Sequence, residues 1–227
     1  MADHNVRNNK IVVVGASGHA KVIVDILQRE GKYEIIGFLD RVRSAGDELM
    51  GYPILGSDDS LPELMVSHGI MGAIVAIGDN FLRSKVAACI RELCPSLTFV
   101  RAIHPSASLA NGVTVGEGSA IMAGACVNSN TSIGRFCIVN TGSSLDHDSS
   151  LGDFASLAPG VTTGGNCHIG MYSAVCIGAT LSDGIQIGEH SIVGAGSLVL
   201  KSIESLLVVY GSPARVIRPR LPGDKYL

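Results

Sequence analysis

Two hydrophobic patterns divide the chain near residue 100. From Lys10 to Val100, short apolar runs alternate with segments whose apolar residues recur three and four apart. K-I-V-V-V-G (Lys10–Gly15), I-I-G-F-L-D (Ile35–Asp40), A-I-V-A-I-G (Ala73–Gly78) and L-T-F-V (Leu97–Val100) are predicted strands. His19–Arg29, with helical spacing of Val22, Ile23, Ile26 and Leu27, is a predicted helix, as is Arg83–Leu93; Leu61–Val66 is a shorter one. Strand–helix alternation implies a parallel sheet with right-handed crossovers. Residues 1–100 are therefore read as a Rossmann-like α/β domain.

From residue 103 every sixth residue is aliphatic, from Ile103, Leu109 and Val115 through Leu145, Leu151 and Leu157 to Val193 and Val199. Only Thr163 breaks the series, and no insertion shifts its phase. Two residues before these positions stand small or β-branched residues, as at Ser119, Ala125, Thr131, Cys137, Ser149 and Cys167. Glycine often follows them, as at Gly116, Gly134, Gly152, Gly170 and Gly188. A period of six fits neither a helix nor a simple alternating strand. It fits a three-sided coil of 18 residues with one aliphatic residue per side pointing inward. Stacked at about 4.8 Å per coil, the segment makes roughly five to six coils. The glycines are expected to supply corner dihedrals.

Composition agrees. Apolar residues make up 46% and charged residues 16%, with 28 glycines and no tryptophan, which favours tightly turning β-structure over a helical domain. The net charge of −3 gives no overall basic footprint for nucleic acid. No apolar run approaches the roughly 18 residues of a membrane span, and M-A-D-H-N-V-R-N-N-K lacks the apolar core of a signal peptide. The six cysteines form no C-x-x-C pair; they read as small buried fillers in a reducing compartment, so the chain is expected to be cytoplasmic.

The hexad series resembles the left-handed parallel β-helix of hexapeptide-repeat acyltransferases, and the left hand comes from that resemblance. G-S-P-A-R (Gly211–Arg215) resembles the segment that often follows the last coil in these enzymes. V-G-A-S-G-H-A-K-V-I-V-D (Val14–Asp25) resembles the opening of one branch. That branch holds the NeuD-like sialic acid O-acetyltransferases and the nucleotide-linked 4-amino-sugar N-acetyltransferases. The resemblance implies a β-helix over 101–227 with a C-terminal tail, acetyl-CoA as co-substrate and no metal. It also implies a homotrimer with active sites between neighbouring β-helices, and a nucleotide-linked amino sugar held by the N-terminal domain.

Acetyl transfer to an amine needs a base, and histidine titrates near working pH. His147 stands two residues after Leu145 and so points away from the coil interior; Asp148 follows and can accept a hydrogen bond from the ring. From the residues alone, the pair is either a solvated corner or a base with its partner. The resemblance places the base in a segment like N-T-G-S-S-L-D-H-D (Asn140–Asp148), which selects His147, with Asp148 where some relatives carry glutamate and Asn140 as the matching active-site asparagine.

Gly15, Ser17, Gly18 and His19 lie between a strand and a helix, where backbone N–H groups face any bound phosphate. The spacing is not G-x-G-x-x-G, so no NAD site is read there. Either the segment is a tight turn or, as the resemblance implies, it contacts the nucleotide sugar. Asp40 and Gly78 end the second and third strands and would line the same crevice. F-L-D-R puts Arg41 where relatives often carry a second acid. For acetyl-CoA, the resemblance points to Gly165, one coil on from His147 and a candidate oxyanion donor. Ser156 stands where some relatives have a second histidine; Ile177 and Ala195 match pantetheine contacts. Lys201, Arg215, Arg218 and Arg220 are cations available to CoA phosphates or to solvent.

The other histidines read as follows: His104 as a cap at the domain junction, His168 and His190 as solvated corners, His68 in a loop, and His4 in a disordered tail. His147, His168 and His190 lack the H-x4-H pair of a zinc-dependent carbonic anhydrase of this fold. The expected activity is N-acetylation of a nucleotide-linked 4-amino-4-deoxy sugar by direct attack. The competing readings are O-acetylation of sialic acid and a non-catalytic β-helical scaffold.

Overall fold

The structure, a computed structural model, describes residues 9–226; the tail holding His4 lies outside them. Strands β1 (Lys10–Val14), β2 (Glu34–Leu39), β3 (Glu48–Leu49), β4 (Tyr52–Gly56), β5 (Gly72–Val75) and β6 (Thr98–Phe99) form one sheet in the order β3-β4-β2-β1-β5-β6. All pairs are parallel except β3 with β4. Helices α1 (Gly18–Glu30), α2 (Leu61–His68) and α3 (Asn80–Leu93) connect the strands. His68 therefore closes a helix rather than sitting in a loop, and Gly69 ends that helix in the left-handed region. The β3–β4 pair was not anticipated.

At Ala102 a new architecture starts. Two-residue strands recur every six residues from β7 (Ala102–Ile103) to β23 (Leu198–Val199), followed by the hairpin of β24 (Leu207–Gly211) and β25 (Ala214–Pro219). They form the three flat sides of a left-handed parallel β-helix. Each strand pairs in parallel with the one 18 residues on, as Ile121 with Val139, Val127 with Leu145 and Ile133 with Leu151. The aliphatic series forms one buried core down the axis, and the small positions Ser119, Ala125, Cys137, Ser149, Ala155 and Cys167 are buried beside it.

The corners differ from expectation. At the coil corners positive φ falls in three columns: Gly112, Asn130, Asp148, Asn166 and Gly184; Gly118, Phe136, Phe154, Tyr172 and His190; and the glycines Gly124, Gly142, Gly160, Gly178 and Gly196. The glycines that follow the aliphatic positions serve another purpose. A Cβ built on Gly152 would lie 2.7 Å from Met171 N, and one on Gly170 2.7 Å from Glu189 N. They permit close approach of successive coils and not a special dihedral.

The aromatic column joins the two halves. Phe136, Phe154, Tyr172 and His190 stack with ring centroids 5.0, 5.3 and 4.5 Å apart, and Phe99 of the first sheet meets Phe136 edge-on at 4.8 Å. His190 is thus half-buried on an aromatic ladder, not solvated, and burial lowers its pKa. Beside the ladder Arg83, 1% exposed, donates to the carbonyls of Phe136, Phe154, Ile77 and Gly78 and to Asn80 Oδ1, at 2.7–3.0 Å. Burial pulls its pKa to about 10, which leaves it charged at neutral pH. Asn80 in turn donates to Ser173 O, and its N–H donates to Tyr226 Oη, so the C-terminal tail closes the same junction. Helix α1 packs its buried face, including Ile23 and Leu27, in one cluster with Ala102, Ala120, Met122 and Ile138 of the β-helix.

Replacing Arg83 with Met is expected to lower the unfolding free energy by about 3 kcal/mol, because several buried acceptors lose their donor. Urea denaturation reads this, and an unchanged midpoint contradicts it.

Candidate active site

Strand β14 (Ser144–Leu145) ends one side of a coil, and the turn after it carries Asp146, His147 and Asp148. Leu145 is fully buried, which directs the His147 ring outward, 54% exposed. Asp148 holds the corner at φ 56°, a conformation that Asn and Asp tolerate better than most residues. Its carboxylate lies 2.8 Å from His147 Nδ1, so the shorter side chain still reaches the ring. Asn130, one coil back, donates to the same carboxylate at 3.2 Å. The hydrogen bond to Asp148 raises the His147 pKa above the ordinary imidazole value and lowers that of Asp148. With Nδ1 on the carboxylate, Nε2 is the remaining ring nitrogen, on the side of Gly165.

Gly165 lies against this ring: a Cβ there would be 2.6 Å from His147 Nε2. The expected oxyanion role does not follow, because the Gly165 N–H donates to Asp183 Oδ1 at 2.9 Å. Asn140 is half-buried; its Oδ1 accepts from Thr141 N at 2.8 Å, and its carbonyl accepts from Ser143 Oγ at 2.7 Å.

Ser156, Ile177 and Ala195 come together around a cavity of about 250 Å³, with Ala158, Cys176 and Tyr226. Ile177 is 62% exposed. Lys201 and Arg215 line a separate small cavity at the end of the β-helix. Arg218 stays exposed, whereas Arg220 is buried and donates to His190 O and Asp224 O. Arg220 therefore holds the tail and is no free cation. His168 lies within a strand and not at a corner, 2.9 Å from Ser150 Oγ. His104 Nδ1 accepts the Ser106 N–H at 3.0 Å, which caps the turn at the junction.

In the first domain Gly15, Ser17, Asp40, Arg41 and Gly78 surround a crevice of about 270 Å³ with Asp58. Gly18 and His19 are not part of its lining. Gly15 has φ 98°, and its N–H donates to Leu39 O. Asp40 works as a clasp: Oδ2 accepts from Ala16 N at 2.7 Å and Oδ1 from Val42 N and Arg43 N. Asp40 thus lines the crevice, as expected, while its carboxylate also holds the turn. Arg41 is paired by Nε and Nη2 with buried Asp58, at 2.6 and 2.9 Å, so the departure F-L-D-R carries its own counter-charge. His19 is half-buried in the first turn of α1; burial, helped by the charge of Arg83, lowers its pKa to about 4. It is therefore neutral near pH 7.

Sequence reading missed Arg83, Asn80, Asp58 and the aromatic column. The 18-residue spacing of Phe136, Phe154, Tyr172 and His190 was the available signal for the column. No pattern marked Arg83, whose charge suggests an exposed helix face.

Comparison with known proteins places these features in a family. The PglD N-terminal domain matches residues 10–90. PerB from Caulobacter crescentus, solved with CoA and GDP-perosamine, is 35% identical, with 92% of this chain and 97% of that one covered and a TM-score of 0.86. The acetyltransferase domain of PglB from Neisseria gonorrhoeae, solved with acetyl coenzyme A, is 32% identical, with 93% and 100% covered and a TM-score of 0.86. WeeI from Acinetobacter baumannii is 28% identical over 91% and 99%, with a TM-score of 0.82. The set of curated protein sequences gives no match. The fold is that of a hexapeptide-repeat acyltransferase. More narrowly, the chain belongs to the PglD-like family of nucleotide-linked amino-sugar N-acetyltransferases.

Replacing Asp148 with Asn should move the titration midpoint of the His147 ring to lower pH, because the protonated imidazole loses its carboxylate partner. NMR titration of the ring measures this, and an unmoved midpoint contradicts the pairing.

Proposed function

We propose that the chain transfers the acetyl group of acetyl-CoA to the amine of a nucleotide-linked 4-amino-4-deoxy sugar, with His147 as general base. The observation that carries the reading is the His147 ring. It is bound through Nδ1 to Asp148, is 54% exposed, and lies with Nε2 flush against a residue with no side chain. Family membership supplies the reaction class.

The sugar nitrogen attacks the thioester carbonyl carbon while Nε2 takes its proton. Asp148 holds the tautomer with the proton on Nδ1 and stabilises the imidazolium that forms. The tetrahedral intermediate expels the CoA sulfur, which recovers the proton from His147, and no acetyl-enzyme is formed. Because the base must be neutral, turnover rises with pH through the raised pKa of His147. Gly165 gives the thioester room beside the ring. The apolar surface of Ile177 and Ala195, with Ser156, suits the pantetheine arm. Lys201 and Arg215 suit the phosphates of CoA.

The nucleotide sugar occupies the crevice of Gly15, Ser17, Asp40, Arg41 and Gly78, with Gly18 and His19 at the mouth of α1, whose unpaired N–H groups favour phosphate. Asn140 orients the sugar near the base. The working unit is a homotrimer in the cytoplasm, with each acetyl-CoA between neighbouring β-helices. Among the described residues no helix is long and apolar enough to cross a membrane.

CoA release from acetyl-CoA should accelerate with one of the UDP-, GDP- or dTDP-linked 4-amino sugars and stay at background with sialic acid. Release with sialic acid alone would replace N- by O-acetylation, and silence with every acceptor would favour a scaffold.

A further inference from the structure

The inward aliphatic series has one polar member, Thr163, and the coil ladder is irregular at the same place. On this side of the β-helix, the residue after each inward position donates its N–H to the carbonyl of the inward residue one coil on. Ala110 donates to Val127, Asn128 to Leu145, Gly164 to Leu181 and Ser182 to Val199, at 2.9–3.0 Å. Asp146 departs from the rule: its N–H donates to Thr163 Oγ1 at 3.1 Å. Between β14 and β17 (Thr162–Thr163) only Ser144 and Thr162 pair, whereas the other strand pairs on this side each match two residues.

The turn that follows is tied at each backbone polar group up to the Asp148 N–H. Asp146 Oδ1 accepts the His147 N–H at 2.8 Å and a proton of Asn128 Nδ2 at 2.5 Å. Asp146 O accepts from Thr131 Oγ1 at 2.9 Å. His147 O accepts from Asn166 N at 2.9 Å and Ser149 Oγ at 3.2 Å, and Asp148 N donates to Ser129 O at 3.0 Å. The side chain of His147 is exposed, yet its main chain has no slack.

Packing does not call for a hydroxyl at position 163. The site is 4% exposed, and its neighbours in the series, Leu145 and Leu181, are aliphatic. A buried hydroxyl costs free energy unless it is hydrogen-bonded, and the bond it makes is the one that replaces the ladder immediately before the base. We propose that Thr163 is a positioning residue for His147, its hydroxyl setting the placement of the Asp146–Asp148 turn and hence of the ring. The inference rests on the assignment of His147 as base.

The test compares Thr163→Val, Thr163→Ser, His147→Ala and the double variant Thr163→Val/His147→Ala, assayed with acetyl-CoA and the accepted amino sugar. Val completes the aliphatic series and removes the acceptor. It should lower kcat about tenfold or more, the scale on which small misplacements of a catalytic group act. KM for both substrates should stay within about twofold. Ser keeps the hydroxyl and should restore most of kcat. In the His147→Ala background the Val substitution should cost nothing further, since coupled residues are not additive. Wild-type kcat in Thr163→Val, an equal loss in Thr163→Ser, or the same fractional loss with and without His147 would each overturn the proposal. Near-normal turnover in His147→Ala alone would instead sink the base assignment, so the two failures are told apart.

Discussion

The inter-coil hydrogen-bond ladder is the constraint on which the structure depends. Each short strand of the β-helix has too few residues to stand alone, and its backbone groups are satisfied only by the coils on either side. This fixes the repeat at 18 residues and stacks equivalent positions in columns. One inward column set makes the core. The outward residues at each corner then inherit a shared environment: Asn and Asp in the middle coils of one corner, stacked rings along a second, glycine throughout the third. By the same rule a residue one repeat away is a neighbour in space, as Gly165 is to His147.

The aromatic corner shows how a repeat serves a partner domain. Its stacked rings give the α/β domain an edge to pack against, and Arg83 ties the main-chain carbonyls of that edge to the start of α3. A guanidinium suits this junction. It carries several donors in fixed directions, and those used here meet carbonyl and carboxamide oxygens of both halves. The C-terminal tail completes the seal through Tyr226, whose hydroxyl accepts from Asn80 N and whose pKa burial raises to about 12.

Much of this was legible in the sequence. The hexad period specified the β-helix, because one aliphatic residue every six positions has few other structural meanings, and the period marked Thr163 as an exception. The alternating pattern of the first hundred residues located β1, β2, β5, β6 and all three helices. The pair β3 and β4 was hidden because Y-P-I-L-G mixes proline and glycine with too few apolar residues to read as a strand. The role of the glycines after the aliphatic positions was also hidden, since close approach between coils is a property of stacking and not of local dihedrals. The pairing of His147 with Asp148 was legible. The engagement of Asp40 with three main-chain donors and of Gly165 with Asp183 was not, because each depends on residues brought in from other turns or coils.

The exposed ring of His147 thus stands on a main chain tied at each polar group, with one nitrogen held by Asp148; in the proposed mechanism the other takes the substrate proton. The most direct measurement is turnover of His147→Ala with acetyl-CoA and the accepted amino sugar, alongside calorimetric acetyl-CoA binding on the same preparation. The account predicts binding like that of the wild type and turnover lost by at least about a hundredfold, the lower range for removal of a general base. Turnover near the wild-type rate with binding intact would contradict it.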